Sequence, residues 1–261
     1  MAGLLLAFGG IIGGLLLEGG NLSDIAQITA AMIVIGGTIG AVMVTTPLPV
    51  LKGTCRELIS VFFEKSKSAE EVKENLLVYA VKARKHGIIS LESDLDQIAD
   101  PFLKKALTMA VDGMELKELR SMMELEINIE AERREAEAKV LEAAGGYSPT
   151  VGILGAVLGL IQVMKHLENI EEVGRGIAVA FVATIYGVGL ANLLLLPASG
   201  KIKARIHHTI LLRELMLEGV CAIIEGSNPK LIAARLEAFC EAPREKSKKA
   251  AQAPVAVRRT A

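Results

Sequence analysis

The chain has 261 residues, 51% of them hydrophobic but only 3% aromatic and none Trp, with a formal net charge of -1. Apolar residues gather in long aliphatic, glycine-rich runs and charges gather elsewhere, which excludes an ordinary soluble domain and offers no basic face for nucleic acid. Cys55, Cys221 and Cys240 form no CxxC pair and have no His at metal-ligand spacing, so a zinc site and a disulfide framework are excluded and no cofactor is expected.

The first apolar run covers residues 2–17 and lacks the basic leader of a signal peptide. Through the tight link Glu18-Gly-Gly-Asn-Leu-Ser-Asp24 it meets a second run at 25–46, which predicts an uncleaved membrane hairpin. Ser68-Ala-Glu-Glu71 is a capping-box pattern, and the helix it opens ends in Arg84-Lys85-His86 before Gly87, a natural left-handed stop. A short helix is predicted over 90–99 and another over 101–111, broken by Asp112-Gly113. Residues 115–144, dense in Glu, Ala, Arg and Leu without Gly or Pro, predict one long helix that reaches the membrane at Gly145-Gly146.

The third and fourth runs cover 149–164 and 176–196. Beyond them, 201–225 reads as a helix, Asn228-Pro229 caps a last helix reaching Phe239, and 243–261 has no periodic apolar positions, which predicts a disordered tail. The expected fold is an all-α membrane protein with four transmembrane helices. It divides into a hairpin at 1–46, a cytoplasmic helical domain at 47–148, a second hairpin at 149–196, cytoplasmic C-terminal helices at 197–242 and the tail.

Basic residues set the orientation. Residues 47–148 hold 15 Lys or Arg and 197–261 hold 12, against Lys165 and Arg175 in the second link and none in the first. The positive-inside tendency places both large segments, and with them the N-terminus, in the cytoplasm of a bacterial inner membrane.

None of the four runs carries an Asp, Glu, Lys, Arg or His in its interior, although ion carriers need an ionisable group at membrane depth. Either the chain moves no ions or a partner helix supplies the carboxylate. The third run has small residues at helical spacing, Gly152, Ala156 and Gly159, with a GxxxG step from Gly155 to Gly159; this suits close helix packing, within one subunit or between subunits. Thr150, Thr184, Tyr186 and Asn192 add polar groups that either bond their own helix or line a narrow wet path.

Pro149-Thr-Val-Gly-Ile-Leu-Gly-Ala-Val-Leu-Gly-Leu-Ile161 followed by Ala180-Phe-Val-Ala-Thr-Ile-Tyr-Gly187 resembles the MotA and PomA family of flagellar stator subunits. Gly36-Gly-Thr-Ile-Gly40, Ala83-Arg-Lys-His-Gly-Ile-Ile-Ser-Leu-Glu92 and Glu225-Gly-Ser-Asn-Pro229 extend the likeness over residues 1–240. The resemblance implies a ring of five subunits around two MotB-type partners, whose single membrane helices bring the ion-binding aspartate. It further implies that Pro149, Thr150, Thr184 and Ala156 belong to the ion path and that Arg84 and Glu92 engage the rotor protein FliG. Sodium-driven relatives carry Thr seven residues after the proline, where this chain has Ala156; with one oxygen ligand fewer, H+ is the expected ion and Na+ the alternative. An energising subunit of the ExbB or TolQ type and a non-conducting membrane scaffold are the other readings. No clustered nucleophile, His and acid suggests an enzyme.

Overall fold

The computed structural model describes residues 2–63 and 68–252, and among them every regular element is helical. In chain order these are α1 (Ala2–Leu17), α2 (Leu22–Ile25), α3 (Ile28–Ala31), a π turn (Met32–Gly36), α4 (Gly37–Thr45) and α5 (Leu48–Phe63). They continue with α6 (Ala69–His86), a 3-10 helix (Ile88–Gln97), α7 (Pro101–Val111), α8 (Leu116–Lys165) and α9 (Ile170–Gly189). A second π turn (Leu190–Leu195), α10 (Leu196–Ile224) and α11 (Pro229–Gln252) complete the fold.

Among the described residues, three stretches are long and apolar enough to cross a membrane: Ile28–Thr45, and segments within Leu116–Lys165 and Ile170–Ile224. The apolar helix Gly3–Leu17 is shorter. The chain forms two compact units, residues 1–64 with 132–206 and residues 65–131 with 207–261, and α8 and α10 supply residues to both. These limits follow packing, so they differ from the membrane limits read from the sequence at 47, 149 and 197.

In the first unit the long helix expected to reach the membrane at Gly145-Gly146 and the third apolar run are one element, α8, which runs unbroken through both glycines and Pro149. A helix stopped at 145 would leave several backbone groups unbonded in apolar surroundings. A continuous helix containing one proline loses a single N–H. The unit also contains α5, for which the sequence reading gives no helix. It rests on α8, with Thr54 Oγ1 donating to the Glu137 carbonyl at 3.1 Å.

Among the described residues, the second unit has one core of 25 buried residues, including Leu76, Leu91, Leu107, Leu119, Leu215 and Leu236. Ser68 caps α6, its Oγ accepting from the Glu70 N–H, and Gly87 ends the helix at φ 84°. Asp100 Oδ1 accepts from the Phe102 and Leu103 N–H groups to start α7. The predicted short helix at 90–99 is instead the 3-10 helix at Ile88–Gln97. Ser90 donates to the Gly87 carbonyl and Ser93 to that of Ser90, three residues back in each case, which favours the tighter turn. α11 extends to Gln252, and residues 253–261 of the expected tail lie outside the described residues.

Candidate functional site

In the first unit α8 and α9 cross with their backbones almost in contact. A Cβ added to Gly187 would stand 2.7 Å from the Ser148 carbonyl oxygen and 3.0 Å from the Gly152 Cα. One added to Gly159 would stand 2.7 Å from the Gly176 carbonyl oxygen, and one added to Gly155 would meet the Ala183 methyl at 2.8 Å. Ser148, fully buried, donates to the Gly187 carbonyl at 3.0 Å and pins the crossing. The glycines of the GxxxG step therefore serve packing within the subunit, the blander of the two readings. Ser148 was not singled out from sequence, although it stands four residues before Gly152 on the same small-residue stripe.

The other side of the hairpin holds the second apolar stretch. Gly37 lies against Val151, Ile33 against Gly155, and Ala30 and Val34 pack with Val182 and Ala183. Tyr186 ties its start to α9: the Tyr186 hydroxyl donates to the Ile25 carbonyl and accepts from the Gln27 N–H at 3.3 Å, across the break between α2 and α3.

With these contacts fixed, helical periodicity decides where the predicted residues point. Pro149 and Ala156, seven residues apart, line one edge of α8, and Thr184 lies on the matching edge of α9, level with the turn between them. All three are half-buried and stand on the side of the crossing away from α3 and α4. That side continues into exposed Ile153, Leu160, Phe181, Ile185 and Val188. Thr150 is not brought to this edge. It is exposed, a quarter turn round α8, and its hydroxyl donates to the Tyr147 carbonyl at 2.7 Å. Thr184 likewise donates to its own helix, at the Ala180 carbonyl, and Asn192 to the Val188 carbonyl. The residues that meet on this edge offer no charge, so it can shape and hydrate a path but cannot itself hold a titrating proton.

In the second unit Arg84 stands in the last turn of α6 and Glu92 in the 3-10 helix, both exposed and, among the described residues, without an ion-pair partner. The segment between them is held rigidly. Leu91 is buried in the core, so its neighbour Glu92 faces outward, and Lys82 bonds both Asp94 oxygens at 2.8 and 2.7 Å. Burial, followed by the Asp94 carboxylate, pushes the Tyr79 phenol above its usual range. Lys82 is thus committed to the brace, and Arg84 and Glu92 are left as free surface charges of opposite sign.

These features define a helical membrane protein built on a glycine-packed hairpin and carrying a separate charged helical unit. Residues 94–215 match the model of the MotA/TolQ/ExbB proton channel family, and residues 1–87 match that of the motility protein A N-terminal region. Motility protein A of Bacillus subtilis (strain 168) is 37% identical over 238 residues, covering 90% of this chain and 88% of the relative. The structure of C. jejuni MotAB superposes with a TM-score of 0.87 at 32% identity, covering 91% of this chain and 93% of that one. The flagellar MotAB stator complex from Bacillus subtilis superposes with a TM-score of 0.84 at 36% identity, covering 96% and 98%. The chain belongs to the MotA/TolQ/ExbB proton channel family, in its motility protein A branch of flagellar stator subunits, and is an inner-membrane protein.

Proposed function

We propose that the chain is the ring-forming subunit of a proton-driven flagellar stator unit, in which five copies surround two MotB-type subunits. It has four membrane helices, with the N-terminus, the insert and the C-terminus in the cytoplasm. The observation that carries this reading is a pairing: the α8–α9 hairpin presents an open edge bearing Pro149, Ala156 and Thr184, while no apolar run contains an ionisable residue. A carboxylate that titrates at membrane depth then comes from the partner helix. Protonation removes its charge and changes which copy of the hairpin it prefers, so successive protonations turn the ring about the partner pair. Thr150, on the back of α8, contributes through the helix turn at Pro149 rather than through direct contact.

Arg84 and Glu92 are the rotor-contact charges, and FliG is the protein they meet. Held on a braced segment, they pass the rotor as fixed charges and transmit torque without catalysis. H+ is the coupled ion because Ala156 gives no oxygen ligand; swimming that tracked external Na+ and ignored the proton gradient would overturn that choice. The whole reading is tested by co-expressing the chain with a single-span MotB-type subunit and weighing the purified complex by native mass spectrometry. Five copies with two partners is the expected result. A stable assembly that takes up no such partner would leave the carboxylate unsupplied and favour a non-conducting scaffold.

A further inference from the structure

The two long faces of α5 differ in character. Towards α8 it turns Val50 and Leu51, which pack with Val42, Val140 and Ala144, then Gly53, which lies against Glu137, and the buried Thr54. Its acid, Glu57, also stands on this side, 4.0 Å from Arg134. The outer face carries Leu48, Lys52, Cys55 and Ile59, which follow one another at i, i+4, i+7 and i+11 and so share one side of the helix, with Arg56 a turn beyond Lys52 on the same flank. All five are exposed, Leu48 at 63% and Ile59 at 64%.

Position ties this outer face to the bilayer. Only Thr46 and Pro47 separate α5 from α4, and Val50 and Leu51 reach the same cluster as Val42, near the end of the membrane-length stretch Ile28–Thr45. The backbone of α5 packs on α8 from Glu137 to Ala144, about 10 Å of helix that stops just short of the third apolar run at 149. α4 turns Ile39, Met43 and Val44 outward, so an apolar outer surface passes from the membrane-length stretch onto α5. Two cations edge it: Lys52 and Arg56 have no ion-pair partner among the described residues. Exposed aliphatic groups with basic residues along one flank are what a helix at the headgroup boundary presents, acyl chains taking the apolar groups and phosphates the cations.

We propose that the outer face of α5 is a binding surface for anionic lipid. Leu48, Cys55 and Ile59 lie against acyl chains at the edge of the bilayer, and Lys52 with Arg56 binds the phosphate of the headgroup. The inference rests on the chain being an inner-membrane protein and stands apart from the ion-coupled reading.

Cys55 offers a native probe of this face, since Cys221 and Cys240 are buried. A bimane fluorophore is attached to Cys55 of the full-length purified assembly, which is reconstituted into vesicles of phosphatidylcholine and phosphatidylglycerol. One lipid or the other carries bromine high on its acyl chains, and both are compared at equal mole fraction. Brominated lipid is expected to quench the fluorophore, phosphatidylglycerol more strongly than phosphatidylcholine. Each cation near an anionic surface contributes roughly fivefold to binding, so Lys52→Gln with Arg56→Gln should lower that preference by about tenfold or more, while Lys52→Arg with Arg56→Lys keeps it. Quenching by aqueous iodide and by neither lipid would put α5 in water, and protection from all quenchers would put protein on its outer face; either result overturns the proposal. Equal quenching by the two lipids, or a preference that survives in the glutamine double variant, overturns the headgroup assignment.

Discussion

The two units bury different things. The first brings glycine backbones together and leaves many large apolar residues outward, such as Leu154 at 61% exposed. The second buries 25 side chains in one aliphatic core, as a water-soluble domain does. The solvent explains the contrast. Lipid is as apolar as Leu and gives no drive to hide it, so membrane helices associate by close approach, whereas water drives aliphatic burial directly. A substitution of given size should therefore cost different amounts in the two places, and that difference can be measured.

The largest effect is expected at the hairpin crossing. Gly187→Val drives a side chain into the Ser148 carbonyl and the Gly152 backbone, neither of which can rotate away, and should cost more than about 4 kcal/mol. Membrane extracts should yield no assembled protein; recovery at the parent's level would break the account of the crossing.

Leu76→Ala opens a cavity in the second unit and should cost about 2 to 5 kcal/mol, read as a lowered denaturant midpoint. Gly219 sharpens the comparison, since an added Cβ there stands 2.7 Å from Leu76 Cδ1, as tight as at Gly187 but against the end of a side chain. Gly219→Ala should cost about 1 to 3 kcal/mol, clearly less than the same change at Gly187. Equal costs at the two glycines would erase the distinction between backbone and side-chain contact.

Smaller effects belong to the surface of the second unit. The hydrogen bond from Lys73 to Glu237 at 2.6 Å raises the lysine pKa. A raised lysine adds stability that is fully present below its unfolded pKa, about 10.4, and lost as pH rises through the folded value. The stability gap between the parent and Lys73→Met should hence stay level from about pH 7 to 9 and close only in stronger alkali. A gap already shrinking near neutrality would count against the pair. Smallest of all, Arg84→Ala and Glu92→Ala should move the unfolding midpoint by less than about 0.5 kcal/mol equivalent, since both are exposed and unpaired. Reduced swimming torque at unchanged stability is the outcome expected from a rotor contact, and unchanged swimming in the double variant would remove these residues from that role.

Much of this was legible in the sequence, for identifiable reasons. Caps and stops are local, so Ser68, Gly87, Asp100 and Asn228 mark element ends by their own chemistry. Apolar runs and small-residue spacing are one-dimensional, so the membrane-length helices and the glycine face could be read directly. The paired motifs at 149–161 and 180–187 carried the family likeness.

Tertiary structure alone decided the rest. Whether α8 breaks at Gly145-Gly146 depends on what surrounds it, because in apolar packing a continuous helix is the arrangement that leaves fewest polar groups unmet. Which edge Pro149, Ala156 and Thr184 share, and that Thr150 does not share it, follows from the faces already taken by Gly152, Gly187 and Val151. Sequence spacing fixes the angle between residues on one helix, but only a neighbouring helix fixes which angle faces inward.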